Sequence, residues 1–133
     1  NGTSFSPPHT VLSVGEAHTC ACSTSGVLKC WGRRSNGKTG EEMSIGSTGS
    51  SPDEMGNNLP AIDLGTARKC VHVAAGNEHT CAVLDTGGVK CWGLNDHGQL
   101  GVGHTDTIGD NSGEMGDQLL EVDLDGDEAL EVA

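Results

Sequence analysis

Short apolar runs separated by glycine-rich turns recur along this chain, and their lengths are typical of β-strands. In the second half, residues 71–75 and 79–84 form two such runs around a glycine turn, and residues 89–92 follow after a tight turn. We therefore predict a hairpin there. Residues 119–124 alternate between apolar and polar side chains, which predicts a fourth strand. The intervening residues 101–118 are polar and rich in glycine, and we expect a loop.

The same pattern occurs twice. GEAHTCACSTSGVLKCWG, beginning at Gly15, returns 61 residues later as GNEHTCAVLDTGGVKCWG, beginning at Gly76. After a slip of one residue, EMGNNLP at Glu54 returns as EMGDQLL at Glu114. Duplication at a fixed period is the signature of repeat architectures. The predicted organisation is, in chain order, a Ser/Thr/Pro-rich tail or linker (1–11), a first repeat (12–72) and an acidic second repeat (73–133).

The second copy carries a family signature. Its lead-in VAAG at residues 73–76 and the sequence HTCAVLDTGGVKCWGLNDHGQLG at residues 79–101 resemble the repeat of the regulator-of-chromosome-condensation-like (RCC1-like) family. In the first copy the closing motif is altered to NGKTG at residues 36–40. The resemblance implies an all-β fold of tandem four-stranded β-propeller blades, usually about seven to a ring. Two blades cannot close a ring by themselves, and the fold does not settle the function.

The cysteines offer extra stability to a chain that is only 34% hydrophobic. Cys20 and Cys30 flank one predicted hairpin, and Cys81 and Cys91 flank the other. Residues directly opposed on antiparallel strands are close enough for a disulfide. We therefore expect both pairs to be bridged, which also resembles the secreted, disulfide-bearing branch of the family.

The other two cysteines, Cys22 and Cys70, lack cysteine counterparts in the second copy, and the simplest arrangement pairs them with each other. A zinc site is the alternative, because Cys20 and Cys22 lie near His18. However, the C-x₂-C spacing of structural zinc sites is absent. Disulfides predict an extracellular or cell-surface location, and they disfavour the nucleotide-exchange role known in the family.

Charge is divided unequally along the chain. Residues 1–72 carry six acidic and six basic side chains, whereas residues 73–133 carry thirteen acidic ones and a single base, Lys90. A nucleic acid and an anionic membrane surface are therefore disfavoured as partners, since both attract clustered Lys and Arg. No apolar run reaches the roughly 18 residues of a membrane helix. The nucleophile elbow, phosphate-binding loop and zinc-protease motifs are absent, so we expect no enzymatic activity and no cofactor.

These observations favour a non-enzymatic extracellular structural protein that assembles head to tail, with copies of itself or with adjacent repeats, into a larger oligomer or filament. The residues expected at this contact are the basic Arg33, Arg34, Lys38, Arg68 and Lys69 of the first repeat and the acidic Asp123, Asp125, Asp127 and Glu128 of the second. The alternative is a two-blade piece of a secreted ligand- or protein-binding propeller, of the adhesin or inhibitor type. Its binding surface would be the variable loops 33–58 and 94–118.

A calcium site is a weaker alternative for part of the acidic set. Asp123, Asp125 and Asp127 alternate as in a calcium loop, but the glycine falls at the fourth position instead of the sixth. A solvated acidic turn is therefore the favoured interpretation.

The N-terminal tail contains candidate sites for covalent glycans. Asn1-Gly2-Thr3 is an N-glycosylation sequon. The hydroxyls of Thr3, Ser4 and Ser6 lie close to two prolines and are candidates for O-linked sugars.

Overall fold

The structure is a computed structural model that describes residues 10–125. This part of the chain is all-β and forms two antiparallel sheets, of order β1–β2–β3–β4 and β5–β6–β7. The strands are β1 (Val11–Val14), β2 (His18–Cys22), β3 (Leu28–Arg33), β4 (Ser47–Thr48), β5 (Cys70–Ala75), β6 (His79–Leu84) and β7 (Val89–Gly93). Short 3₁₀ turns lie at Ser35–Gly37, Pro52–Glu54, Gly56–Asn58 and Gly116–Gln118. The predicted fold class is confirmed: two blades stapled by disulfides, with the sheets not closed into a ring.

The two hairpins have the same register. Cys20 lies opposite Cys30 and Cys81 lies opposite Cys91. One residue beyond each Trp of β3 and β7 is a glycine with positive φ, Gly32 at 114° and Gly93 at 115°. A Cβ on either glycine would press against the carbonyl oxygen of the residue that precedes the paired histidine. Only glycine tolerates both the φ value and the close approach, which explains why the Trp-Gly dipeptide returns in both copies.

The predicted fourth strand at residues 119–124 is wrong. The structure places the fourth position of the first sheet at β4, which pairs with β3. In the second sheet the equivalent residue, Ile108, makes only a single bridge to Gly93, within the segment expected to be loop. Residues 119–124 form an extended connection whose one sheet-like bond runs from the Val122 N–H to the Val89 carbonyl, at 2.7 Å. Their alternation therefore reflects burial of Leu119 against the blades and not a strand ladder.

All six cysteines are paired, and none is free to bind zinc. Cys20–Cys30 and Cys81–Cys91 close the two hairpins, with Cα–Cα distances of 4.1 and 4.0 Å. Cys22–Cys70 joins the end of β2 to the start of β5, at 5.8 Å between the Cα atoms. This third bridge connects the first sheet to the second, so it fixes one blade relative to the other.

We expect the bridge between the sheets to stabilise the chain more than a hairpin bridge does, because a disulfide that closes a longer loop removes more entropy from the unfolded chain. The double variant Cys22→Ala/Cys70→Ala opens a sequence separation of 48 residues and should lose about 4 kcal/mol of unfolding free energy. Cys20→Ala/Cys30→Ala opens a separation of 10 and should lose about 3 kcal/mol. Urea titration measures both.

These two variants are matched, since all four cysteines are fully buried and each variant removes two sulfur atoms. Equal losses, or a larger loss for the hairpin variant, would contradict the role of the Cys22–Cys70 bridge as the tie between sheets.

Candidate functional site: the faces of the two blades

The blades pack through apolar side chains that form one continuous core. The second blade contributes Ala82, Leu84 and Trp92, and the first contributes Ile62 and Leu64. Trp92 is fully buried. Burial of side chains of this size contributes about 1.5–3 kcal/mol each, which makes this contact the main source of cohesion between the blades.

A main-chain carbonyl of the first blade is the polar centre of this contact. The Lys38 carbonyl accepts hydrogen bonds from the Thr80 hydroxyl at 2.7 Å and from the Trp92 indole N–H at 3.2 Å. The Thr80 hydroxyl has one proton, which it donates to the Lys38 carbonyl. Its oxygen therefore accepts the hydrogen bond from Nε2–H of His18, at 2.7 Å. His18 is therefore the neutral tautomer with its proton on Nε2.

His18 is held in this neutral state by its surroundings. Its Nδ1 atom is buried without a hydrogen-bond partner, so a second proton there would have no acceptor. Burial lowers the pKa of His18 from 6.5 to about 4, and the nearby positive charge of Lys38 acts in the same direction.

A part-buried ion pair adds a second polar contact between the blades. The Lys38 ammonium is fully buried and donates to Oε1 of Glu78 at 2.9 Å. Asn36 donates to the same oxygen at 3.1 Å. Burial by itself raises the pKa of the Glu78 carboxyl, but the hydrogen bonds from Lys38 and Asn36 outweigh it and leave the pKa below its usual value. Removing the Glu78 carboxylate would leave the buried Lys38 ammonium without its counter-ion, so this pair favours one arrangement of the two blades.

A carboxylate of the first blade also binds backbone of the second. Oε2 of Glu42 accepts hydrogen bonds from three successive backbone N–H groups, those of Gly113, Glu114 and Met115, at 2.8, 2.8 and 3.0 Å. Charge-assisted bonds of this kind are stronger than neutral ones. Glu42 therefore holds the long loop of the second blade against the first.

Lys90 provides the reciprocal contact from the second blade. Its ammonium donates to the Leu64 carbonyl of the first blade at 3.0 Å and to the Gly116 carbonyl of its own blade at 2.9 Å. Its equivalent in the first blade, Lys29, donates to the Gly56 carbonyl at 3.1 Å. Gly56 is the equivalent of Gly116, so Lys29 keeps the bond within the blade, and the described residues offer it no counterpart of the Leu64 carbonyl.

The first blade has a face that corresponds to this buried face of the second blade, and no described residue covers it. Val73 of the second blade is 1% exposed, whereas its equivalent Leu12 is 62% exposed. Val27, at the position of Gly88, is 40% exposed. Trp31, the equivalent of the buried Trp92, is only half-buried, and no described residue accepts its indole N–H. We call this surface the leading face of the first blade.

The leading face contains an apolar groove of about 530 Å³. It is lined chiefly by Ala21, Val27, Lys29, Trp31, Gly56 and Leu59. Most of these residue types return at the equivalent positions of the second blade, where they are buried against the first.

The opposite surface, the trailing face of the second blade, is open in the same way. Ile62 and Leu64 of the first blade are buried under the second blade. Their equivalents are Val122, which is half-buried, and Leu124, which is exposed. Each end of the described chain thus presents an apolar face of the kind that the two blades bury against each other.

The basic residues expected at an intermolecular contact are partly used within the chain. Lys38 is paired with Glu78, and Arg68 lies 3.3 Å from Asp85. Arg34 donates to the Ile45 carbonyl at 2.9 Å within its own loop, and Arg33 is exposed. The backbone N–H of Lys69 donates to Asp85 at 3.2 Å. The charge complementarity expected between copies is therefore realised in part between the two blades of one chain.

The acidic candidates are only partly described. Asp123 and Asp125 are exposed, and the Asp123 carboxylate accepts the Asp125 N–H at 2.9 Å, which is a local turn. The other candidates lie outside the described residues: Asp127, Glu128, Asn1, Thr3, Ser4 and Ser6. Residues 10–125 contain no group of three or more His, Cys, Asp or Glu side chains that could hold a metal ion, and calcium binding stays a prediction. Within the same range no helix has the length and apolar character to cross a bilayer.

Sequence reasoning missed Glu42 and Glu78, which form charge-assisted contacts between the blades. Their equivalents in the other copy are Gly103 and Ala17, so the repeat pattern gave them no weight. A signal was nevertheless present. The first copy has Ala17 where the second has Glu78, and the second copy has Gln99 where the first has Lys38. When two positions of opposite charge both lose that charge in the other copy, they mark a contact that forms between the two blades and has no counterpart at the open faces.

Comparison with known proteins agrees with this architecture. The regulator of chromosome condensation (RCC1) repeat matches residues 70–99. The human E3 ubiquitin-protein ligase HERC2 is 37% identical over 95 residues, which are 71% of this chain and 2% of that protein. The Arabidopsis thaliana ultraviolet-B receptor UVR8 is 35% identical over 92 residues, which are 69% of this chain and 19% of that protein. The chain thus spans less than a fifth of either relative.

The solved structure of Prp20p, the RCC1 of yeast (Saccharomyces cerevisiae), superposes with a TM-score of 0.55 at 20% identity. The superposition covers 87% of this chain and 26% of that one. Fold and packing together define a fragment of a β-propeller, built from disulfide-stapled blades. It belongs to the RCC1-like repeat family.

The buried His18 predicts a loss of stability in mild acid. The unfolded chain binds a proton at His18 near pH 6.5, whereas the folded chain binds it only near pH 4. The contribution of His18 to stability is therefore complete above about pH 6.5 and is lost as the pH drops towards 4, by roughly 3 kcal/mol. In His18→Gln, whose amide can still donate to Thr80, this part of the pH dependence should disappear. Urea titrations at a series of pH values measure it.

The control is His97→Gln, because His97 is largely exposed and contacts only its own turn. It should keep the wild-type slope between pH 6.5 and 4. An unchanged slope in His18→Gln would show that the buried imidazole is not the source.

Proposed function

We propose that this chain is a non-enzymatic, extracellular structural module that assembles head to tail through its blade faces into a larger oligomer or filament. One observation carries the proposal. The leading face of the first blade has nearly the same residue types as the buried face of the second blade, but none of residues 10–125 covers it. A contiguous exposed apolar face is typical of an interaction surface. A head-to-tail contact whose rotation does not close generates a filament.

The three disulfides support the extracellular part of this proposal. All six cysteines are bridged, and bridges of this kind persist in oxidising compartments. In that setting the sequon at Asn1 and the hydroxyls of Thr3, Ser4 and Ser6 would carry glycans, which would keep the tail hydrated.

Apolar burial supplies most of the cohesion in this proposal, and charge has a secondary part. Lys38 and Arg68 are already paired inside the chain, and the net charge of −12 makes copies repel one another. Salt at physiological concentration shortens the range of that repulsion to about 8 Å. We therefore expect association to strengthen, not weaken, between very low salt and about 0.15 M.

A second candidate function is a two-blade piece of a longer, closed propeller that binds a protein or another ligand through loops 33–58 and 94–118. The small share of each relative that the chain covers favours it. Prp20p is described as binding Gsp1p and histones. In this case a further repeat of the same polypeptide would occupy the leading face.

A substitution in the groove of the leading face distinguishes these two candidate functions. Trp31→Ser should weaken self-association by at least about tenfold, because it removes the largest apolar side chain of the leading face. Sedimentation velocity over a concentration series measures the effect. The control is Ile45→Ser, which removes an 83% exposed apolar side chain that lies outside the groove.

Ile45→Ser should associate as the wild type does. If the wild-type chain remains a monomer at every concentration and salt, assembly of copies is wrong and the longer propeller is favoured.

A further inference from the structure

The two blades of one chain already contain a complete head-to-tail contact, and this contact specifies how a second copy would be oriented. Most of the apolar residues at the contact have an equivalent on one of the two open faces. A residue on the trailing side of the first blade has its equivalent 61 or 60 positions later, in the second blade. A residue on the leading side of the second blade has its equivalent 61 or 60 positions earlier, in the first blade.

From this equivalence we infer that the leading face of one copy binds the trailing face of a second copy in the register that joins the two blades of each chain. The inference rests on the proposed function and names its partner and its geometry. It predicts which contacts between copies are present and which are lost.

Polar contacts carry over where the groups they need are present at the equivalent positions. His18 donates to Thr80 within the chain, so His79 would donate to Thr19 of the second copy. Trp92 donates to the Lys38 carbonyl, so Trp31 of the second copy would donate to the Gln99 carbonyl.

Two more such contacts involve the ends of the groove. Lys90 donates to the Leu64 carbonyl, so Lys29 of the second copy would donate to the Leu124 carbonyl. The Gly116 N–H donates to the Asp63 carbonyl at 2.9 Å, so Gly56 of the second copy would donate to the Asp123 carbonyl.

Other contacts between the blades do not carry over, and three of them are polar contacts of the first blade's trailing residues. The Lys38–Glu78 pair becomes Gln99 and Ala17, which cannot form an ion pair. The carboxylate of Glu42 becomes Gly103, so the loop clamp is absent. Ser13, whose hydroxyl accepts the Ala75 N–H at 2.8 Å, becomes Ala74. The bridge from Cys22 to Cys70 is also absent, because the equivalent of Cys22 is Val83. The contact between copies is therefore the same surface without its ion pair, its clamp and its disulfide, and we infer that it is weaker than the contact within a chain.

Restoring the missing ion pair tests the register. Ala17 and Gln99 are both half-buried surface positions, so substitutions there leave the core intact. Ala17→Glu and Gln99→Lys would rebuild between two copies the pair that Glu78 and Lys38 form within one. The double variant should associate at least about tenfold more tightly than the two single variants predict together, a coupling within the range of close interfacial charge pairs. Sedimentation velocity measures all of these variants.

The matched control is Ala17→Glu/Gln118→Lys, which has the same net charge. Gln118 is exposed and is not the equivalent of any residue at the contact. This variant should show no coupling. If copies associate but the coupling is absent, or equals that of the control, the register is wrong while the proposed assembly stands. If neither the wild type nor any variant associates, both are wrong.

A gentler substitution guards against misfolding of the charged variants. Thr19→Val removes the hydroxyl that would accept from His79 of the other copy and should weaken association several-fold. Thr86→Val, on an exposed turn, should not. Equal association of Thr19→Val and the wild type would overturn the register independently.

Discussion

The hydrogen bond from the Trp92 indole N–H to the Lys38 carbonyl is the contact on which the rest of the structure depends. It fixes the distance between the sheets, and it brings Thr80 to the same carbonyl and to His18. Apolar packing around the indole supplies the free energy, and the hydrogen bonds supply the direction, because a misplaced blade would bury these polar groups unsatisfied. The ion pair of Lys38 and the disulfide from Cys22 to Cys70 then restrict the blades to this arrangement.

The repeat explains why the same surface occurs three times in different states. Between the blades it is complete and buried. On the first blade it is present as a leading face without a described neighbour, and on the second blade as a trailing face. A β-propeller resolves this by closing a ring, which removes both open faces. Two blades cannot do so alone, and a further blade, from the same polypeptide or from another copy, would cover the apolar faces.

Much of the fold could be predicted from the sequence, because the duplication and the spacing of Cys20 and Cys30 are local signals. The fourth strand could not: the alternation of residues 119–124 is equally typical of an extended segment that buries Leu119, and only the tertiary packing separates the two. The polar contacts between the blades could be predicted only in part. Glu42 and Lys38 each occur in one copy only, and this difference marks their positions, but both lie far along the chain from the groups they bind, so the sequence does not identify their partners.

The central claim is that the leading face of the first blade takes a neighbour as the second blade does. Hydrogen exchange of the two indole N–H groups, followed by NMR from dilute to concentrated solution, tests it most directly. We expect Trp92 to be protected at every concentration, since its N–H is bonded within the chain, and Trp31 to exchange freely when dilute and slowly when concentrated. Exchange of Trp31 that stays fast at all concentrations would contradict the claim for copies of this chain.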